Sequence, residues 1–267
     1  MAKGNDGNYL QHSVEVGIAL HLSAMSTQGA LHLALTHGMA PFESCGRLPN
    51  GQTRSGLTEA LQAAQNPPTC GESRIVAAYR AAKASLESYP NTGELLAATI
   101  GRERLSGGIT EVDAQKHAKL LKAWSGSRVM PVNSSWRREV CDGGVLSCPI
   151  QLGAPWLFAA DPMTFREDGC ADDDKLYRAD LCRVSAALRG FVASGKPGAA
   201  ALFVYSVKPD VQPQFWAFAD DLAANTGMSV VSCWVTHQGG NRNLAALLHA
   251  GMVLPAWWLP QRVHAGR

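Results

Sequence analysis

No apolar run in these 267 residues approaches the roughly 20 residues that a membrane-spanning helix needs, so a helical membrane span is not expected. Nor does the chain begin with a basic stretch followed by an apolar one. Met1 to Asn8 is polar and rich in Gly and Asn, so no secretory signal is read there and the cytoplasm is the expected compartment. The seven cysteines lack metal spacing: Cys141 and Cys148 are too far apart for a Cys-x-x-Cys knuckle and have no companion pair. Their odd number argues for reduced thiols rather than a disulfide framework. Charge of one sign is scarce as well. A formal net charge of +2 neither excludes nor points to a nucleic-acid partner, since a dedicated duplex binder usually carries a clearer basic stripe.

What the chain has is apolar residues, 46% of the total, enough to bury a sizeable core. Leu10, Val14, Ile18 and Leu22 recur at helical spacing from Asn8 to about Met25. Ala30 to Leu35 reads as a strand, with Thr36-His37-Gly38 as its turn. From position 41 to 90 prolines and glycines mark loops around a short helix near Leu57 to Ala64 and an Ala-rich one from Ser73 to Ser88, which predicts a small helical insertion. Strands and helices then alternate. Strands are expected at Leu105 to Glu111, Arg128 to Val132, Trp156 to Ala160, Ala200 to Val207, Met228 to Thr236 and Ala246 to Leu254. Helices are expected at Leu95 to Gly101, Asp113 to Trp124, Lys175 to Ser194 and Val211 to Thr226. This alternation predicts a single α/β domain over 1–267 with a mainly parallel, seven-stranded sheet covered on both faces. The last two strands have only a turn at Gly239-Gly240 between them and must form an antiparallel hairpin. A parallel sheet closed by such a hairpin is the Rossmann-like topology of class I methyltransferases.

Ligands of open α/β sheets bind beyond the carboxyl ends of the strands. The residues there are Thr36, His37 and Gly38, then Glu111, then Asn133 and Ser134, then Asp161 and Pro162. Glu111 either accepts the hydroxyls of a ribose or starts a solvated loop. Asn133 and Ser134 either meet an adenine edge or form a turn. Asp161 either accepts a hydrogen bond from an exocyclic amine, aiming the nitrogen lone pair at a methyl donor, or caps a turn. A lone histidine such as His12 or His37 is more often structural than a ligand, and no third ligand stands at metal spacing. Arg102, Arg104, Arg137 and Arg138 read as solvated faces, and Trp257-Trp258 as a hydrophobic clasp.

Several segments in order resemble the large-subunit ribosomal-RNA adenine-N6 methyltransferases. They are Gly4-Asn5-Asp6-Gly7-Asn8-Tyr9-Leu10-Gln11-His12, Leu33 to Ala40, Tyr89-Pro90-Asn91-Thr92-Gly93 through Leu105 to His117, Leu157 to Thr164, Leu202 to Tyr205, and Ala250 to Trp257. The resemblance implies S-adenosylmethionine as cofactor, with contacts at His12, His37, Gly38, Thr92, Glu111, Asn133 and Ser134. It implies catalysis by Asp161 and the carbonyl of Pro162, and an RNA or DNA adenine as acceptor near Thr164 and Phe165. Departures are equally specific. Leu35, Met39 and Pro41 replace an acid and two glycines of the first loop, and Gln11 replaces a lysine. The tetrad reads Asp161-Pro162-Met163-Thr164, without a second proline and an aromatic residue, for which Phe165 is the stand-in. Two functions are therefore expected as alternatives: an amine methyltransferase, or a methyltransferase fold that has lost catalysis and serves as a binding or partner module.

Overall fold

The computed structural model describes residues 6–36, 38, 40–43, 56–144, 146, 154–161, 164–170, 175–194, 198–206, 211–236, 242–260 and 263–266. Its centre is a sheet of eight strands, ordered β12-β10-β11-β9-β6-β1-β4-β5. These are β1 (Leu31–Leu35), β4 (Leu105–Thr110), β5 (Arg128–Val132), β6 (Trp156–Ala160), β9 (Ala199–Ser206), β10 (Ser229–Thr236), β11 (Arg242–Ala250) and β12 (His264–Ala265). Neighbours from β5 to β9 pair in parallel, whereas β11 pairs antiparallel with both β9 and β10. The parallel half thus closes on an antiparallel hairpin, and the fold is that of the class I methyltransferases. The expected seven strands gain an eighth: β12 adds two residues to the outer edge of β10, too few for any periodicity to reveal.

Side-chain alternation explains how the sheet carries helices on both faces. Leu31, Leu33 and Leu35 of β1, with Leu157 and Ala159 of β6, face one core together with α1 (Asp6–Met25), α4 (Thr92–Ile100) and α5 (Ala114–Ala123). Ala34 of β1 and Trp156, Phe158 and Ala160 of β6 face the other, against α6 (Leu181–Ser194) and α7 (Gln212–Thr226). Rings organise that second core: Trp156 stacks on Phe191 at 4.4 Å, and Phe158 meets Phe203 at 5.5 Å. Gly107 of β4 has φ +107°, and a Cβ there would stand 2.0 Å from the Leu33 carbonyl oxygen, so the β1–β4 pairing needs glycine at this point.

Helix α1 is buried on nearly every side because it lies between the sheet and a second helical layer. That layer is α2 (Gly56–Gln65) and α3 (Arg74–Ala81), which pack on each other and on α1. The described ends of the 41–90 segment are tied together, for β2 (Phe42–Glu43) pairs antiparallel with β3 (Tyr89–Pro90). Helix α3 stops at Ala81 rather than near Ser88, because Lys83 takes φ +52° and ends the helical path.

Two other expectations are corrected. Residues 175–194 do not form one helix. A short strand β8 (Lys175–Tyr177), paired with β7 (Thr164–Arg166), and a 3₁₀ turn (Arg178–Asp180) precede α6. The break sits where the Asp180 carboxylate accepts the Tyr177 N–H at 2.9 Å and fixes the turn. The last long strand begins at Arg242 and ends at Ala250, not Leu254, because Gly251 leaves it with φ +71°. The turn at Gly239-Gly240 lies outside the described residues.

Candidate active site

The parallel strands run outward from β1 through β4 to β5, and the chain then returns to β6 on the other side of β1. The order therefore reverses between β1 and β6, and a small cleft lies at their carboxyl ends. Leu35, Thr36, Gly38 and Ala40 follow β1 into it, and Asp161 follows β6. The N-terminus of α4 contributes Asn91, Thr92 and Gly93, and α1 contributes Asn8, Gln11 and His12.

Local hydrogen bonds explain why these elements converge. Thr36 N–H donates to the Ala159 carbonyl at 3.0 Å, and Asp161 N–H donates to Thr36 Oγ1 at 3.4 Å, joining the two strand ends at the point of reversal. Asn91 is the N-cap of α4. Its Oδ1 accepts the Glu94 N–H at 2.8 Å, while its Nδ2 donates to the Gly38 carbonyl at 2.7 Å. One side chain thus opens the helix and holds the first loop against it. Gly38 donates its own N–H to the Thr110 carbonyl at 2.8 Å, and a Cβ there would come within 2.4 Å of Ile109 Cγ2. The cleft floor is therefore backbone packed on backbone, with a helix N-terminus facing into it.

His12 is buried between two tyrosines. The Tyr79 and Tyr89 hydroxyls each lie 3.1 Å from its Nδ1, and its ring stacks on Tyr89 with 9° between planes. Burial holds its pKa down to about 3, so the ring is neutral and cannot supply a cation. Behind the wall lies Glu15, a residue that the sequence reading passed over. It is 1% exposed; Gln11 Nε2 donates to its Oε1 at 3.1 Å and Thr92 Oγ1 donates to its Oε2 at 2.8 Å. Burial pushes its pKa up to about 8, against the pull of those two hydrogen bonds, and the charge of Asp161 pushes it further. The signal was a carboxylate three residues after His12 and four after Gln11, in an otherwise apolar helix.

The other sequence-selected residues divide into groups. Glu111 is buried at the end of β4, with its Oε1 accepting the Asp113 N–H at 2.8 Å. Asn133, at the neighbouring end of β5, donates from Nδ2 to the Glu111 carbonyl at 2.7 Å and to that of Val112 at 3.1 Å. None of Glu111, Asn133 and Ser134 is among the residues lining the cleft. Phe165 is not brought to the cleft. It is 1% exposed and packs on Phe218 at 5.3 Å and Phe215 at 6.1 Å in the second core. Its backbone belongs to β7, whose pairing with β8 turns the side chain inward. His37, Pro162 and the Thr164 side chain lie outside the described residues. Arg137, read as a solvated face, is instead buried in a bidentate pair with Asp180, with Nε–Oδ1 and Nη2–Oδ2 both 2.8 Å. Trp258 is buried and Trp257 half-exposed, with the Arg74 guanidinium 3.8 Å above its ring.

Among the described residues no group of three His, Cys, Asp or Glu side chains could hold a metal ion. None of the described helices is long and apolar enough to cross a membrane.

No protein-family model matches this chain, and no curated protein matches it. Solved structures do. A protein of Legionella pneumophila strain Philadelphia 1 superposes with a TM-score of 0.62 at 11% identity, covering 98% of this chain and 96% of its own. The N-methyltransferase NodS of Bradyrhizobium japonicum WM9 gives a TM-score of 0.41 at 12% identity, covering 93% of this chain and 98% of its own. At such identities the first likeness shows a shared fold, and the second, with its lower score, carries no argument.

Proposed function

We propose that this chain is an S-adenosylmethionine-dependent methyltransferase acting on an amine, with adenine N6 of RNA or DNA as the acceptor that the sequence resemblance favours. The observation that supports this most is the joining of Asp161 to Thr36 across β6 and β1, which sets a carboxylate at the reversal point of the sheet beside a polar cleft. The residues fit the cofactor. The buried Glu111 carboxylate offers an acceptor for ribose hydroxyls, and the two carboxyl groups of Asp161 and Glu15 suit a cation.

When bound, S-adenosylmethionine supplies an electrophilic methyl group on a positively charged sulfur. The protein contributes position and charge. Asp161, with the carbonyl of Pro162, accepts hydrogen bonds from the acceptor's N–H groups and so aims the nitrogen lone pair at the methyl. Glu111, with Asn133 and Ser134 beside it, holds the nucleoside end, while Thr92 and the neighbouring backbone hold the amino-acid end. His12 is a neutral wall that excludes water. His37 and Thr164 complete the set by resemblance.

One observation favours the alternative of a fold that binds without catalysing. With Phe165 in the core, no aromatic side chain from that position stands ready to stack on an extruded base. Titration calorimetry with S-adenosylmethionine and S-adenosylhomocysteine, followed by transfer of a labelled methyl group to RNA, DNA and small amines, separates the readings. Micromolar binding with transfer supports the enzyme. Binding without transfer to any acceptor supports the module, and no binding at millimolar ligand defeats both cofactor roles.

A further inference from the structure

Among the described residues, the lining of the cleft holds acid but no charged base. Among its lining residues there is no Lys or Arg, and His12 is neutral. Asp161 faces the opening, and Glu15 lies one layer behind Gln11 and Thr92, whose polar atoms line the cleft and bond to both Glu15 oxygens. Gln11 also donates to Thr92 Oγ1 at 3.3 Å, so the three side chains form one closed network between α1 and α4. Charged groups on the elements packed against α1 are engaged elsewhere: Arg80 of α3 pairs with Glu72, Arg74 of α3 lies over Trp257, and Glu94 of α4 pairs with Arg102. Leu61 of α2, Leu202 of β9, Val235 of β10 and Leu247 of β11 are apolar. Tyr79 of α3 and Tyr89 of β3 meet His12, and burial raises the Cys233 thiol to about 12 and keeps it neutral. The charge felt by Glu15 is that of Asp161, of like sign.

We propose that Glu15, acting with Asp161, makes this cleft select the positively charged sulfonium form of an adenosyl ligand over the uncharged thioether left after methyl transfer. This rests on the cofactor reading above. With the cleft empty, Glu15 is a neutral carboxylic acid at pH 7. An entering cation replaces the proton: the Glu15 O–H bond breaks, the proton goes to solvent, and the oxygens keep the electron pair as a carboxylate. Charge balances, one positive charge in and one out. Once the sulfur is uncharged, Glu15 takes a proton back and attraction for the ligand falls. Asp161 lines the same cleft and its charge acts on Glu15, so a charge on a sulfur held beside Asp161 would act on Glu15 as well. Glu15 touches Gln11 and Thr92 rather than the reacting atoms and is a specificity-determining, positioning residue.

The test is calorimetric titration of the full chain in two buffers of different ionisation enthalpy. The probes are S-adenosylmethionine, S-adenosylhomocysteine and sinefungin, which carries an ammonium in place of the sulfonium. At pH 7 the first and third should release close to one proton, roughly the protonated fraction of a group titrating near 8, and the thioether far less. The Kd for S-adenosylmethionine should fall about tenfold per pH unit between pH 6 and 8 and level off above. Glu15→Gln preserves the size and the hydrogen-bond acceptor of the neutral acid. It should abolish the proton release and the pH slope and remove most of the preference for the charged ligand. Should that variant fail to fold, the proton count and the pH slope of the unmodified chain decide the matter. Binding without proton release, or equal release with S-adenosylhomocysteine, overturns this inference and leaves the cofactor reading standing. Absence of binding by all three ligands overturns both.

Discussion

Arg137→Ala tests whether the buried Arg137–Asp180 ion pair is structural. Arg137 stands in a π-helical turn (Arg137–Cys141), with its guanidinium bonded to both Asp180 oxygens and, at 2.7 Å, to the Lys175 carbonyl. Both side chains are nearly closed to solvent, at 6% and 3% exposure. Removing the arginine leaves the Asp180 charge buried with the Tyr177 N–H as its remaining described partner. The lost Coulomb attraction no longer offsets desolvation, and breaking such a pair costs about 3–5 kcal/mol. Unfolding entropy near 2.1 cal/mol/K per residue makes that a drop of about 5–9 °C in Tm for a chain of this length. The neighbouring Arg138 provides the control. It is 79% exposed and stands 3.8 Å from Glu139, so Arg138→Ala should change stability by less than about 0.5 kcal/mol. Arg137→Lys should rescue little, because an ammonium cannot make the bidentate contact. Thermal unfolding followed by circular dichroism, with urea titration for the free energies, compares all three. Equal shifts for the two alanine variants would refute the reasoning.

Asp161→Asn should abolish methyl transfer, since the amide keeps the size but not the charge that aims the acceptor; transfer by this variant would sink the role. Glu111→Ala should weaken the same binding by roughly tenfold to a hundredfold, the range expected for loss of charge-assisted hydrogen bonds, as measured by calorimetry. Stability should also depend on pH through Glu15. Its folded pKa near 8 lies above the ordinary 4.5, so its contribution is fully present below pH 4.5 and is lost as pH rises through 8. The loss amounts to as much as about 5 kcal/mol. Glu15→Gln should therefore be more stable than the unmodified chain at pH 9 and near equal to it at pH 4, by chemical denaturation; parallel curves at both pH values would contradict it.

Most strands were readable because they are apolar runs that end abruptly in polar residues, as β6 does at Asp161 and β4 at Glu111. Parallel strands covered on both faces leave that signature. What escaped the sequence reading depends on contacts far apart in the chain. Arg137 looks like any solvated arginine, for its partner Asp180 lies 43 positions on. The same carboxylate breaks the apparent helix 175–194, and an amphipathic pattern continues across that break without betraying it. Phe165 sits next to the expected catalytic tetrad in sequence, yet strand alternation in β7 sends it to the core. β12 needs only two residues, which carry no period at all.

Gln11 stands one helical turn before Glu15 and offers a second test of the proposed proton exchange. An ammonium at that place would lie within reach of the Glu15 carboxyl, because Gln11 Nε2 is already 3.1 Å from Oε1. It would hold Glu15 ionised at every working pH and cancel its charge. On the proposal above, neutral Gln11 lets the acid keep its proton until a cation arrives from outside. Gln11→Lys should therefore abolish proton release on binding S-adenosylmethionine and narrow the preference over S-adenosylhomocysteine, although Glu15 itself is untouched. If the release persisted undiminished in that variant, Glu15 would not be the group that gives up the proton.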